Sequence, residues 1–332
     1  MIPVYYNEPP ARNILAFQTY IKFDYSWYNI TIFAEDHLHQ AMNKIMKTVS
    51  NYSSLVKFSH SLFALPFAMI GFFIAVSHPE NHFDPWLLVK VLACMVFARN
   101  AAMSFNRFAD REIDGLNPRT LLREIPAGII HPRSALFFSM INSLLFIATS
   151  WFINLLCFFL SPVALMVILG YSFTKRFTSL SHLILGLGLS LAPIGAYLSV
   201  TGKFNLLPLL FSLSVLCWVA GFDIIYALQD EEFDKSLKLK SIPAKLGKKN
   251  ALHISSVLHI VAVAVILRAG FIGNFGPLFW LGTLIFSVLI FYQHLIVKPD
   301  DLSRLNLAFF TTNGIASLVF ALFVILDLYI KF

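Results

Sequence analysis

Two short acidic stretches carry the residues best suited to chemistry. The first reads NRFADREID and spaces Asn106, Asp110 and Asp114 at i, i+4 and i+8. At about 100° per residue, successive members drift by only about 40°, so a helix would present all three oxygens on one face. The second reads DIIYALQDEEFD. With Asp223 at zero, Tyr226 falls at about 300°, Asp230 at about 340° and Asp234 at about 20°, again one face. Clustered carboxylates resist joint ionisation unless a cation neutralises them. Oxygen donors without His or Cys favour a hard ion, and Mg²⁺ takes roughly one or two carboxylates while filling its other positions with water and phosphate oxygens. Asn106, Asp110, Asp114, Asp230 and Asp234 are therefore the candidate metal ligands, able to hold ions across a diphosphate.

Basic residues stand beside them. The stretch GLNPRTLLREIPAG places Arg119 and Arg123 just beyond the first motif, and YSFTKR adds Tyr171, Lys175 and Arg176. Arginine forks match phosphate oxygens in bidentate fashion and lysine supplies a point charge. Such cations beside acidic metal ligands suit an anionic leaving group. Each residue also has a plainer reading. A single aspartate at a helix end is usually interfacial, which applies to Asp223, and loop cations are usually topology signals, which applies to Lys175, Arg176 and the run from Lys235 to Lys249. The two aspartate pairs resist that reading. His60, His182, His253 and His259 lie in or beside apolar faces and are expected to pack, and Glu35, Asp36, His37 and His39 read as a solvated turn.

The chain that positions these groups has 332 residues, 58% hydrophobic and 13% charged, with a mean hydropathy of +0.72. An ordinary soluble domain carries roughly 25% charged residues. The fold expected is all-α and polytopic, about nine transmembrane helices, since one span takes about 20 apolar residues. The expected spans are Leu55 to Val76, Trp86 to Phe105, Ser134 to Phe152, Asn154 to Tyr171, His182 to Val200, Leu206 to Gly221, Ala251 to Leu267, Phe275 to Ile296 and Leu305 to Leu328. The narrow gap between the third and fourth spans makes that division the weakest. Cys94, Cys157 and Cys217 fall inside apolar runs without ligand spacing, so they read as small buried hydrophobes. A net charge of +7 is spread over short loops, so nucleic acid is not an expected partner.

Lysine and arginine concentrate in the loops after spans two, four, six and eight, while the opposite loops hold little beyond Lys203 and Arg268. By the positive-inside rule those even loops are cytoplasmic, and both acidic motifs then share the cytoplasmic side. Intramembrane carboxylates are costly against lipid, so they should face the bundle interior. Residues 1–54 are expected to form a cytoplasmic or interfacial extension and 55–332 the transmembrane domain. Leu38, Ala41, Met42, Ile45, Met46 and Val49 fall at helical spacing beside Lys44 and Lys47, as in a helix lying on the membrane surface. No secretory signal is expected in the first forty residues, and the sequence leaves both Met1 and Met46 open as starts of translation. No period of 20 to 50 residues recurs clearly.

The paired motifs resemble those of the UbiA prenyltransferase family, which condenses polyprenyl diphosphates with aromatic acceptors. Asn106, Asp110 and Asp114 match its first motif; Asp223, Tyr226, Asp230 and Asp234 match its second. The segments KFSHSLFALPFAMIG, NPRTLLREIPAG and YSFTKR are similar to the 4-hydroxybenzoate polyprenyltransferase branch, including relatives that act in menaquinone synthesis through futalosine. The likeness runs from about Lys57 to the end. It implies nine helices around a central cavity, Mg²⁺ on the aspartates, and prenyl transfer to 4-hydroxybenzoate or a hydroxylated naphthoate in ubiquinone or menaquinone synthesis, in a bacterial inner membrane with the site facing the cytoplasm. Asp110, Asp114, Asp230 and Asp234 would then bind Mg²⁺. Arg123 and Lys175 would offset charge on the leaving diphosphate, and Tyr226 and Tyr171 would flank an allylic cation. Arg119 or Arg123 would meet the acceptor carboxylate, and the prenyl tail would lie near Gly186, Gly188, Pro193 and Gly195. One departure stands out: many members carry Asp directly after the motif Asn, where this chain has Arg107, about 100° away on the helix. The competing classes are a transporter that uses intramembrane aspartates and a lipid-head-group transferase, whose acidic residues fall in one motif rather than two.

Overall fold

A computed structural model describes residues 39–56 and 63–330. The expected turn at Glu35 to His37, with Leu38, and His60 lie outside the described residues. The chain forms two compact units, Met1–Ser53 and Ser54–Phe332. In the first, residues 39–53 belong to helix α1 (residues 39–56), as their apolar spacing implies.

In the second unit α2 (Leu65–Val76) is followed by α3 (Pro85–Ala109), α4 (Arg111–Leu116), α5 (Pro132–Trp151), α6 (Leu155–Thr174), α7 (Ser181–Thr201), α8 (Leu206–Ala227), α9 (Glu231–Ser236), α10 (Ile242–Ile272), α11 (Pro277–Ile296) and α12 (Asn313–Tyr329). Eight described helices are long and apolar enough to cross a membrane, and α2 is a shorter apolar ninth. The sequence marks the starts well. Pro85, Pro132 and Pro277 occupy first helical turns, where a missing N–H costs nothing. Asn154 caps α6 by accepting from Cys157 N and donates to the carbonyls of Leu198 and Ser199. The narrow division between spans three and four is therefore a real turn. The seventh span begins earlier than Ala251: α10 runs back to Ile242 across a kink at Gly247, whose φ of 78° lies where glycine is the natural residue.

α8 is apolar nearly all round and runs through the centre, as such a helix should. Its Trp218 packs on Phe67, Phe222 and Phe286 at 5.2, 5.1 and 5.7 Å between ring centroids. Outer helices leave Phe137, Leu144, Phe159 and Met166 exposed, the face a bilayer would cover. Helices in lipid associate through close packing and hydrogen bonds rather than through apolar transfer, and both devices are present. Gly71 lies so near Pro193 that a Cβ there would sit 2.0 Å from its carbonyl oxygen, and one on Gly186 would sit 2.4 Å from Leu216 O. Gly186 thus serves a helix contact rather than a groove, and of the other small residues expected to open one, Gly195 has no atom within 4 Å of an added Cβ. Cys217 is buried, and Cys94 and Cys157 are half-buried.

Hydrogen bonds sort the loops by end. Lys90 Nζ donates to Phe152 O at one end. At the other, Arg176 Nη2 donates to Ala109 O at 2.6 Å and Lys240 N to Lys175 O at 2.7 Å. The loops after spans two, four and six therefore meet, as their shared basic character implied.

Candidate active site

Both acidic motifs are built the same way. α3 ends at Ala109, Asp110 takes φ −95° and ψ 8°, and the six-residue α4 follows. α8 ends at Ala227, a 3₁₀ turn covers Leu228–Asp230, Asp230 takes φ −101° and ψ 5°, and the six-residue α9 follows. The expectation of one continuous helical face through each motif is corrected here, because rotation by 100° per residue stops at the middle aspartate. That backbone region is sparsely populated and common at active sites. The break re-aims the last aspartate of each motif.

The first motif is paired internally and across the bundle. Asn106 Nδ2 donates to Asp110 Oδ2 at 3.0 Å, and Arg176 Nη2 lies 3.4 Å from Asp110 Oδ1. Asp114 is buried and accepts from Arg123 Nη1 at 2.6 Å through Oδ1. Arg107 Nη1 stands 3.9 Å from its Oδ2. Arg107 is only 3% exposed. The break at Asp110 falls between it and Asp114, so regular helical rotation does not predict this approach, and the fold alone brings the two together.

In the second motif, Arg119 forks Asp230, Nη2 to Oδ2 at 2.6 Å and Nε to Oδ1 at 3.0 Å. Asn117 Nδ2 donates to the same Oδ1 at 3.1 Å while its Oδ1 accepts from Arg119 N. Arg119 Nη1 also reaches the Tyr226 hydroxyl at 3.2 Å. The Tyr226 ring stacks on Phe309 at 4.1 Å, so one of its faces is already covered. Phe309 belongs to a π-helix, Leu307–Thr312, an irregularity frequent at functional sites. Asp223 accepts from His182, Nδ1 to Oδ2 at 2.7 Å; His182 is thus more than packing. His259 is buried and bonded to His294 at 2.8 Å, while His253 is exposed.

Lys175 links the groups electrostatically. Burial alone would depress it, but Tyr171 and the carboxylates of Asp234, Asp223 and Asp230 overcome burial and hold its pKa above the ordinary lysine value. Burial raises the Asp110 carboxyl, and Lys175 and Arg176 offset that only in part. Tyr171 lies in the field of Asp223, Lys175, Asp110 and Arg123. The residues singled out by spacing therefore gather at one end of the bundle.

Among the described residues, no three His, Cys, Asp or Glu side chains converge as a ready-made metal cluster, because Arg119, Asn117 and Arg123 stand between the acids. Two buried acceptors, Asp114 Oδ2 and Asp234 Oδ2, have no hydrogen-bond partner among the described residues. A buried acceptor left unpaired is costly. Carboxylate oxygens of this kind fit a hard cation.

Comparison with known proteins identifies the family and the fold. The model of the UbiA prenyltransferase family matches residues 64–315. The 4-hydroxybenzoate octaprenyltransferase of Nitrosomonas europaea is 32% identical over 72% of this chain and 81% of its own. That of Tolumonas auensis is 28% identical over 71% of this chain and 82% of its own. Among solved structures, a UbiA homologue from Aeropyrum pernix K1 superposes with a TM-score of 0.73 at 31% identity, covering 81% of this chain and 98% of that one. A homologue from Archaeoglobus fulgidus, bound to DMAPP and Mg²⁺, gives a TM-score of 0.64 at 24% identity, over 85% of this chain and all of that one. The chain belongs to the UbiA prenyltransferase family, as an integral membrane enzyme.

Proposed function

We propose that the chain transfers a polyprenyl group from its diphosphate to an aromatic acid, 4-hydroxybenzoate or a hydroxylated naphthoate, in quinone biosynthesis. The observation that carries this reading is the pair of buried carboxylate oxygens, Asp114 Oδ2 and Asp234 Oδ2, that have no hydrogen-bond partner among the described residues, with Arg107 and Arg123 beside Asp114, Arg119 on Asp230 and Lys175 in the field of Asp234. Asp114 and Asp234 would hold Mg²⁺, with Asn106, Asp110 and Asp230 completing the acidic surround. Bound there, Mg²⁺ neutralises diphosphate charge and polarises the leaving group.

The remaining work falls to protein side chains. Arg123 and Lys175 offset charge on the departing diphosphate as the allylic C–O bond breaks. Arg119 exchanges its fork from Asp230 to an incoming carboxylate or phosphate of the same geometry. Tyr171 and Tyr226 flank the allylic cation, Tyr226 through the ring face that the Arg119 guanidinium overlies at 5.4 Å from the centroid and uncovers as it turns to the substrate. The ring carbon ortho to the acceptor hydroxyl forms the new C–C bond and gives up its proton to the released diphosphate. An apolar surround keeps water from quenching the cation. The names of the relatives support 4-hydroxybenzoate as acceptor, and DMAPP and Mg²⁺ in the Archaeoglobus homologue support the donor class and the ion. We take residues 55–332 as the catalytic unit, after an extension at 1–54; the basic even loops support a site toward the cytoplasm, and the bacterial sources of the relatives support an inner membrane.

Washed membranes given a panel of aromatic acids and prenyl diphosphates, with and without Mg²⁺, should yield a prenylated 4-hydroxybenzoate or naphthoate by mass, only with the ion. Asp110→Asn and Asp230→Asn should each lower turnover by at least about 100-fold, the scale of losing one preorganised electrostatic group, while the protein stays folded. Near-normal turnover by either variant would sink the site.

A further inference from the structure

We infer that His182 is a positioning residue for prenyl transfer, fixing the Asp223 carboxylate so that Lys175 stays directed at the diphosphate. This rests on the role given above to Lys175. His182 is fully buried, 0% exposed, in the first turn of α7. Its Nε2 accepts from Ile242 N at 3.4 Å and its Nδ1 lies 2.7 Å from Asp223 Oδ2. A nitrogen that accepts a backbone N–H carries no proton of its own. The hydrogen-bond network therefore assigns the proton to Nδ1, which donates to the carboxylate. Ile242 opens α10, where the first N–H groups have no partner inside the helix, so one imidazole serves a helix start and a buried acid at once.

Asp223 precedes Asp230 by seven residues, about 10 Å deeper along α8 and on nearly the same face. A carboxylate at that depth is costly unless paired. Lys175 and Tyr171 both lie within its field. Deprived of the Nδ1–H, Asp223 would satisfy itself directly on Lys175 and draw the ammonium away from the leaving group. A side chain that merely filled space would not set this balance, whereas an imidazole locked by two directional bonds does.

The test uses the full chain in detergent and compares the wild type with H182A, H182N, H182Q, K175M and the H182A/K175M double variant. The readouts are kcat, KM for prenyl diphosphate, inorganic pyrophosphate binding with Mg²⁺ by calorimetry, and thermal melting. H182A should weaken pyrophosphate binding and raise KM by about tenfold or more. H182N, whose amide N–H stands where Nδ1–H stood, should restore most of the loss, while H182Q should not. The double variant should be no worse than K175M, the signature of one pathway. Unchanged pyrophosphate binding in H182A, or losses that follow melting temperature alone without rescue by Asn, would overturn the inference while K175M remained impaired. Were H182A not to fold, the contrast between Asn and Gln decides. A K175M enzyme with normal pyrophosphate binding would instead sink the reading of Lys175 itself.

Discussion

A guanidinium with almost no access to solvent stands beside the acid that its own motif carries seven residues later. Arg107 and Arg123 approach opposite oxygens of Asp114, at 3.9 and 2.6 Å. Breaking a buried ion pair by removing one partner costs roughly 3–5 kcal/mol. The cost here should be smaller, because Arg123 is 21% exposed and Arg107 remains nearby. Arg123→Met should therefore lower stability by about 2 kcal/mol in thermal melts and weaken pyrophosphate binding in the same samples. Arg119→Lys tests geometry rather than charge. Lysine cannot reproduce the fork on Asp230 or the bond to Tyr226, so turnover should fall by about tenfold even though net charge is unchanged, about the worth of one charge-assisted hydrogen bond.

Among the elements, the broken helices matter most. Breaks in matching positions of two halves are what a transporter would show, and Asp110 and Asp230 do mark such breaks. They fall at the ends of long spans rather than at mid-membrane, where transporter sites form, and they place paired acids in a meeting place for loops. The packing of these spans is open to simple tests. Asn154→Ala removes the α6 cap and two carbonyl contacts on α7 and should cost about 1–2 kcal/mol in thermal melts, leaving KM values near the wild type. Gly71→Val places a branched side chain where a Cβ already meets Pro193 O at 2.0 Å. α2 and α7 would then have to part, and the yield of folded protein in detergent should drop sharply.

At the level of the whole molecule, the acids are distributed over two helix ends and shielded from one another by arginine and asparagine. Divalent ion binding should therefore depend on the second ligand. Mn²⁺ alone should bind weakly in calorimetry, and inorganic pyrophosphate should tighten it by at least about tenfold, the scale of an ordinary coupling between sites. Equal Mn²⁺ affinity with and without pyrophosphate would mean that the protein holds the ion unaided.

Period and composition were enough to determine the membrane class, the number of spans within one, the meeting of the basic loops, and the two acidic motifs as one neighbourhood, because hydrophobic length and helical rotation are local properties. Asn154 and the three helix-opening prolines are local signals of the same kind, but the division at Asn154, the weakest in the sequence, became firm only with its bonds to Leu198 and Ser199. The break at Asp110 and Asp230, the pairing of Arg119 with Asp230 rather than Asp114, the arrival of Arg107, and the hold of His182 on Asp223 were decided only by the fold. Each depends on which side chain from a distant segment reaches a buried charge first, and a linear pattern carries no record of that distance.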